Sequence, residues 1–133
     1  KGLQPSNILF AEAEVLKLCD LGIATVRRNG DDFETEFSKT EHVGTGLYMS
    51  PEQLAGPRYS SKADVFALGL ILEELLVAMD HAKRYEIFNN IRRANHRSLA
   101  EDSRAKEFIT KLTRFVPSER PSCKEMLDHI FLA

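Results

Sequence analysis

The segment from Val65 to Met79 is the strongest constraint on how this chain folds. Val65, Phe66, Leu68, Leu70, Ile71, Leu72, Leu75, Leu76 and Val77 fall on nearly every side of a helix. A helix that is apolar all round must be surrounded by other elements, so it belongs in the middle of a domain and not on its rim. Glu73 and Glu74 break the run, which is too short and too charged to span a bilayer. Its start is expected near Ser60 or Ser61, because Ser61 and Asp64 have the spacing of an N-cap and an acid in the first turn.

The rest of the chain supplies the wrapping. Tyr85, Phe88 and Ile91 form a partial helical stripe before Asn95. Phe108, Ile109, Leu112 and Phe115 form a second stripe that stops at Pro117, and Ser122 with Glu125 makes a capping box ahead of Met126, Leu127 and Ile130. Upstream, the short apolar runs Ile8–Phe10 and Val15–Leu18 are joined by Ala11–Glu14, which predicts a small hairpin that delivers Asp20 at its exit. Arg27–His42 is polar and aperiodic, with Phe33 and Phe37 as its only large apolar residues, and reads as a surface loop. Gly44–Pro57 is rich in turn residues, and Pro51 is placed to open a short helix through Gln53 and Leu54. The expected fold class is mainly α, one domain with a small β-hairpin near the N-terminus and a central buried helix.

Composition narrows the function classes. Apolar residues make up 43% and charged residues 29% of the 133, which suits an ordinary globular domain. The net charge of −2 gives no electrostatic reason to expect a nucleic-acid partner. Cys19 and Cys123 are far apart and lack metal-ligand spacing, which predicts no disulfide scaffold and a reducing, intracellular compartment. Each is expected to act as a small buried apolar residue. His42, His81, His96 and His129 show no pairing that would mark a metal site or a base, and read as surface or capping residues.

Five groups of residues carry chemistry. Leu3, Pro5, Ser6 and Asn7 precede Asp20-Leu21-Gly22; then come Val43–Glu52 (VGTGLYMSPE), Asp64 with Gly69, and Arg120 before Pro121. An amide oxygen on Asn7 and a carboxylate on Asp20 suit a hard cation that keeps several waters. Singly, each group has a plainer explanation. Asp20 is a turn carboxylate, Gly44 and Gly46 make a turn before a helix, Asp64 is a helix N-terminal acid, and Arg120 is a solvated guanidinium. The turn reading leaves Tyr48, Pro51 and Glu52 together unexplained.

In this order and spacing the five groups resemble protein kinases, from the catalytic loop to the last helix, over nearly the whole chain. The kinase motifs are H-R-D-L-K-P-x-N, D-F-G, the A-P-E end of the activation segment, the D-x-x-x-x-G of the central helix and an Arg near the last helices. Residues 43–54, 64–76 and 117–121 are most similar to the Ser/Thr kinases that phosphorylate the alpha subunit of translation initiation factor 2. The resemblance implies a carboxyl-terminal lobe, with no small lobe in these 133 residues. It divides 1–133, as a partial kinase domain, into a catalytic-loop remnant 1–7, an activation segment 20–52 and a helical bundle 60–133. It implies ATP- and Mg2+-dependent phosphoryl transfer to protein Ser/Thr, in a regulator of protein synthesis with a cytoplasmic location and a protein partner or substrate. It makes Asn7 and Asp20 the ligands of the cation and its nucleotide. Asp64 would hold the catalytic-loop backbone, and Glu52 would pair with Arg120 to pin the activation segment to the last helices. Thr45 matches the Thr that touches the catalytic Asp and Lys. Ser38 and Thr40 are candidate phosphorylation sites near Arg27 and Arg28, or solvated loop hydroxyls.

The departures bear on activity. Gly2 stands where kinases place the catalytic Asp, Gln4 where Ser/Thr kinases place a Lys, and Lys1 at the Arg of H-R-D. Gly2 cannot accept a proton, and such help is worth about 10²–10⁴-fold. No phosphoryl transfer is therefore expected from the chain alone. The other readings are a pseudokinase that binds a partner through the Tyr85–Arg93 face and the final helices, or a truncated product without function.

Overall fold

The computed structural model describes residues 2–12, 14–19, 46–94, 98–129 and 132. Two strands, β1 (Ile8–Phe10) and β2 (Leu16–Leu18), precede five helices. The helices are α1 (Pro51–Ala55), α2 (Lys62–Leu76), α3 (His81–Arg92), α4 (Ser103–Leu112) and α5 (Cys123–Leu127). Short 3-10 turns occupy Pro5–Asn7 and Pro117–Glu119. The architecture is the mainly α one expected, with an antiparallel hairpin that pairs Ile8 with Leu18 and Phe10 with Leu16.

Helix α2 is the axle, and its packing explains the apolar pattern. Phe66 and Leu70 pack against Ile87, Phe88 and Ile91 of α3, with Leu47, Tyr48 and Met79 at the margin. Val65 meets Phe108 and Leu112 of α4 and Met126 of α5. Ile109, Ala105 and Ala100 close over Leu72 and Val77. Three sides of one helix are thus buried by different partners, and a single polar stripe would have left one of them unpaired. Gly69 lets α4 approach. A Cβ there would lie 2.5 Å from Thr113 Cγ2 and 3.0 Å from Leu112 Cβ.

Caps set the helix ends. Ser50 and Gln53 form a capping box at α1, and Ser122 and Glu125 form the expected one at α5. Asp80 and Asp102 cap α3 and α4 by accepting from backbone N–H groups. Helix α2 starts where expected, but Ser61, its N-cap, has helical backbone angles and does not make the capping bond. Ser60 Oγ instead accepts from Lys62 N at 3.2 Å.

Other expectations need correction. In α3 the buried stripe is Ile87, Phe88 and Ile91, while Tyr85 is exposed, because the face turned to α2 is set one residue away from Tyr85. Phe115 lies beyond the end of α4 and is exposed, and Leu127 of α5 is exposed too. Neither cysteine is a core residue. Cys123 is exposed in the first turn of α5 and Cys19 is half-buried at the hairpin exit; both are free thiols.

Candidate functional site

The site begins at the turn Pro5–Asn7, where Pro5 supplies a preset φ and lacks the N–H that a first helical position leaves unpaired. Asn7 is buried, and its Nδ2 donates to the carbonyl of Gly2 at 3.2 Å. That bond uses one of the two amide N–H groups, and Oδ1 is the side chain's acceptor. The N–H of Cys19 donates to the Asn7 carbonyl at 2.8 Å, so the hairpin returns the chain beside Asn7 one residue before Asp20. Asp20 itself lies outside the described residues, as do Lys1, Arg27, Arg28, Ser38, Thr40, His42, Thr45 and His96.

A cleft opens next to this turn. Gly2, Leu3 and Gln4 form one wall, Tyr48, Met49 and Gln53 the other, and Asp64 and Ala67 of α2 the floor. A Cβ on Gly2 would sit 3.8 Å from Gln53 Nε2 and 4.0 Å from Asp64 Oδ1, at ordinary contact distance. There is thus room for a Cβ at position 2, and Asp64 is the one acid among the lining residues. Gln4, half-buried in the first wall, offers an amide but no charge.

Two polar clamps hold the second wall. The Tyr48 hydroxyl donates to Glu74 Oε2 at 2.5 Å, and Glu74 Oε1 takes Arg84 Nη1 at 2.5 Å. Burial pushes the Tyr48 phenol well above its ordinary range, and the hydrogen bond and charge of Glu74 add to the shift. The Tyr48 ring also meets Phe88 edge-on at 5.5 Å. From α3, Arg92 donates to the carbonyls of Met49 at 2.7 Å and Gly46 at 3.3 Å, and to that of Leu47. Burial lowers the Arg92 pKa.

Behind the cleft, Arg120 is buried and uses all five of its donors. Nη1 donates to Glu52 Oε1 at 2.6 Å and to the Lys62 carbonyl at 2.8 Å. Nη2 donates to Glu52 Oε2 at 2.8 Å and to the Phe115 carbonyl at 3.2 Å. Nε donates to the Arg114 carbonyl at 2.7 Å. The guanidinium also stacks 4.8 Å from the Phe66 ring centroid. One side chain thus joins α1, the start of α2 and the segment after α4. Burial alone would raise the Glu52 pKa, but Arg120's hydrogen bonds and charge, with a backbone hydrogen bond, outweigh it and hold the carboxyl below its ordinary value.

The protein kinase domain family matches residues 1–132. The chain belongs to that family. Among curated kinases, the chain is 33% identical over 145 residues to the eukaryotic translation initiation factor 2-alpha kinase pek-1 of Caenorhabditis elegans, covering 99% of this chain and 14% of that protein. It is 34% identical over 128 residues to the interferon-induced, double-stranded RNA-activated protein kinase of Mus musculus, covering 96% of this chain and 24% of that one. It is 33% identical over 139 residues to eukaryotic translation initiation factor 2-alpha kinase 3 of Rattus norvegicus, covering 97% and 12%. The chain therefore spans between 12% and 24% of the length of these relatives.

Against the kinase expectation, the structure brings Glu52 to Arg120 in a two-pronged pair and sets Asp64 beside Gly2 at the cleft floor. It places Asn7 with one amide N–H donated to the Gly2 carbonyl. Among the described residues, no three His, Cys, Asp or Glu cluster as a metal site, and Asn7 is the one proposed cation ligand that can be placed. The buried polar groups that sequence reading missed are Arg92 and Glu73. Glu73 is fully buried and takes the Leu99 N–H at 2.7 Å and the Ser98 hydroxyl. Neither has a spacing signal, because each bonds a segment far away in sequence. No helix of the described residues is long and apolar enough to cross a membrane.

Proposed function

We propose that the chain is the carboxyl-terminal lobe of a Ser/Thr protein kinase whose family reaction is ATP-dependent phosphoryl transfer to protein hydroxyls, and that as given it does not perform that reaction. Residues 1–7 form the catalytic-loop remnant, 20–52 the activation segment and 60–133 the helical bundle. The observation that carries this reading is the cleft at Gly2: its neighbours Asn7, Gln53 and Asp64 are in place, but position 2 has no carboxylate. A transferred phosphoryl group needs the attacking hydroxyl oriented and its proton accepted. Gly2 does neither, and Gln4 brings no positive charge to the phosphoryl oxygens.

The chain's own donors bear on the cofactor. Asn7 carries an amide oxygen beside the hairpin exit, and Asp20 follows Cys19 directly in sequence. These two groups would hold Mg2+, which neutralises phosphate charge when ATP is bound. The alpha subunit of translation initiation factor 2 is the proposed protein substrate of an intact family member, supported by the names of two of the relatives above. A cytoplasmic location is proposed with it. Ser38 and Thr40 are the proposed phosphorylation sites of the activation segment, and Thr45 its contact with the catalytic loop.

A pseudokinase interaction module is the second reading. The observation that favours it is Arg120: all five donors of the lobe's main anchor are satisfied while position 2 carries no chemistry. The deciding experiment incubates the chain with radiolabelled ATP, Mg2+ and the alpha subunit of translation initiation factor 2. No transfer is expected. Turnover that disappears in Asp20→Ala would contradict the proposal. A Mg2+-dependent rise in melting temperature with ATP separates a nucleotide binder from a pure scaffold.

A further inference from the structure

We propose that Arg92 is a positioning residue for the cleft: from α3, its guanidinium fixes the Gly46–Met49 turn, and so the wall that Tyr48 and Met49 present. The inference deepens the reading of the cleft as the place of the family's phosphoryl transfer, and rests on that reading for its functional meaning.

The turn has few bonds of its own. Residues 46–48 form a turn, and the Met49 N–H reaches the Gly46 carbonyl at 3.3 Å. The carbonyls of Gly46, Leu47 and Met49 instead converge on one guanidinium. Arg92 is 8% exposed, and among the described residues its hydrogen bonds go to these carbonyls and to Asn89 Oδ1, with no carboxylate. A planar fork with five donors can serve several carbonyls from one turn; an ammonium is a point charge that cannot span them. Asn89, one turn before Arg92, accepts from Nη1 at 3.2 Å and fixes the orientation of the fork. Without the fork, the carbonyls of Leu47 and Met49 lose the donor that Arg92 gives them and that of Gly46 keeps the Met49 N–H, so the cost falls on the turn. The core of α2 and α3, built from Phe66, Leu70, Ile87, Phe88 and Ile91, does not depend on those bonds.

The Arg92→Lys variant tests this, because Lys keeps the charge and most of the stem. Backbone amide hydrogen exchange is read at Met49 and Ser50 and compared with the amides of α2 and α4. The expected result is a loss of protection of about tenfold or more at Met49 and Ser50, with α2 and α4 changed less than about twofold. Asn89→Ala, which leaves the guanidinium in place, is expected to give a smaller loss at the same two amides. Unchanged protection at Met49 and Ser50, or an equal loss throughout the domain in both variants, would overturn the assignment. Exchange is read without nucleotide or substrate, so its failure leaves the reading of the cleft standing. A failure of the phosphoryl-transfer expectation likewise leaves the clamp untouched.

Discussion

Two adjacent residues of α1 belong to regions built on opposite principles. On one side, Glu52 enters a buried network in which every Arg120 donor has an acceptor. On the other, Gln53 faces an open cleft whose opposite wall begins with Gly2. The first region is closed and over-determined; the second has space and a glycine at the position where kinases place a carboxylate. On the proposed reading, the bonds that assemble a kinase lobe are separate from the groups that perform transfer, and this chain would hold the first set without the second.

Substitutions at the anchor should therefore cost much more than substitutions at the cleft. Arg120→Met leaves the Glu52 carboxylate and three carbonyls without their donor, and removing one partner of a buried pair costs about 3–5 kcal/mol. Urea denaturation is expected to show a loss of that size; a loss within about 0.5 kcal/mol would place the anchor among ordinary surface residues. Gly69→Ala comes next. Its Cβ would enter within 2.5 Å of Thr113 Cγ2, and overpacking of this kind costs about 1–3 kcal/mol. A neutral result would mean that α4 moves away from α2 freely.

The pH dependence of stability sharpens the same contrast. The Glu52 pKa is lowered on folding from its ordinary 4.5. A depressed carboxyl binds protons less readily in the folded state, so its contribution is complete above 4.5 and is lost as pH falls through the folded value. Glu52→Gln is expected to flatten that part of the stability profile; an unchanged acid limb would show that other groups carry it. The smallest effect is expected at the cleft. In Gly2→Asp the added Cβ meets only contacts at 3.8 Å and beyond, and the φ of residue 2 lies outside the left-handed region. Its unfolding free energy should stay within about 0.5 kcal/mol of the parent.

Much of the fold was legible because it rests on local pattern. The all-round apolar segment foretold a central helix, and Ser122 with Glu125 foretold the start of α5. Glu52 and Arg120 were legible only through the family motif; no periodicity relates residues 68 apart. The Ser60 cap was missed because two adjacent serines offer the same chemistry and backbone angles decide between them. Tyr85 was misread because a three-residue spacing fits either edge of the α3 stripe. Arg92, Glu73 and the Tyr48–Glu74–Arg84 chain were invisible, because polar contacts between distant segments appear only once the chain is folded. Asp20, Ser38, Thr40 and Thr45 lie outside the described residues, so their roles stand as proposals.

A double-mutant cycle on Glu52→Gln and Arg120→Met tests the separation of anchor from chemistry most directly. Each single variant takes hydrogen bonds and the opposite charge from the remaining partner, and the double variant removes both members of the pair. The account predicts a coupling free energy of about 2–3 kcal/mol, with the double variant little worse than either single one. Strictly additive losses would contradict it, because Glu52 and Arg120 would then contribute to stability without acting through each other.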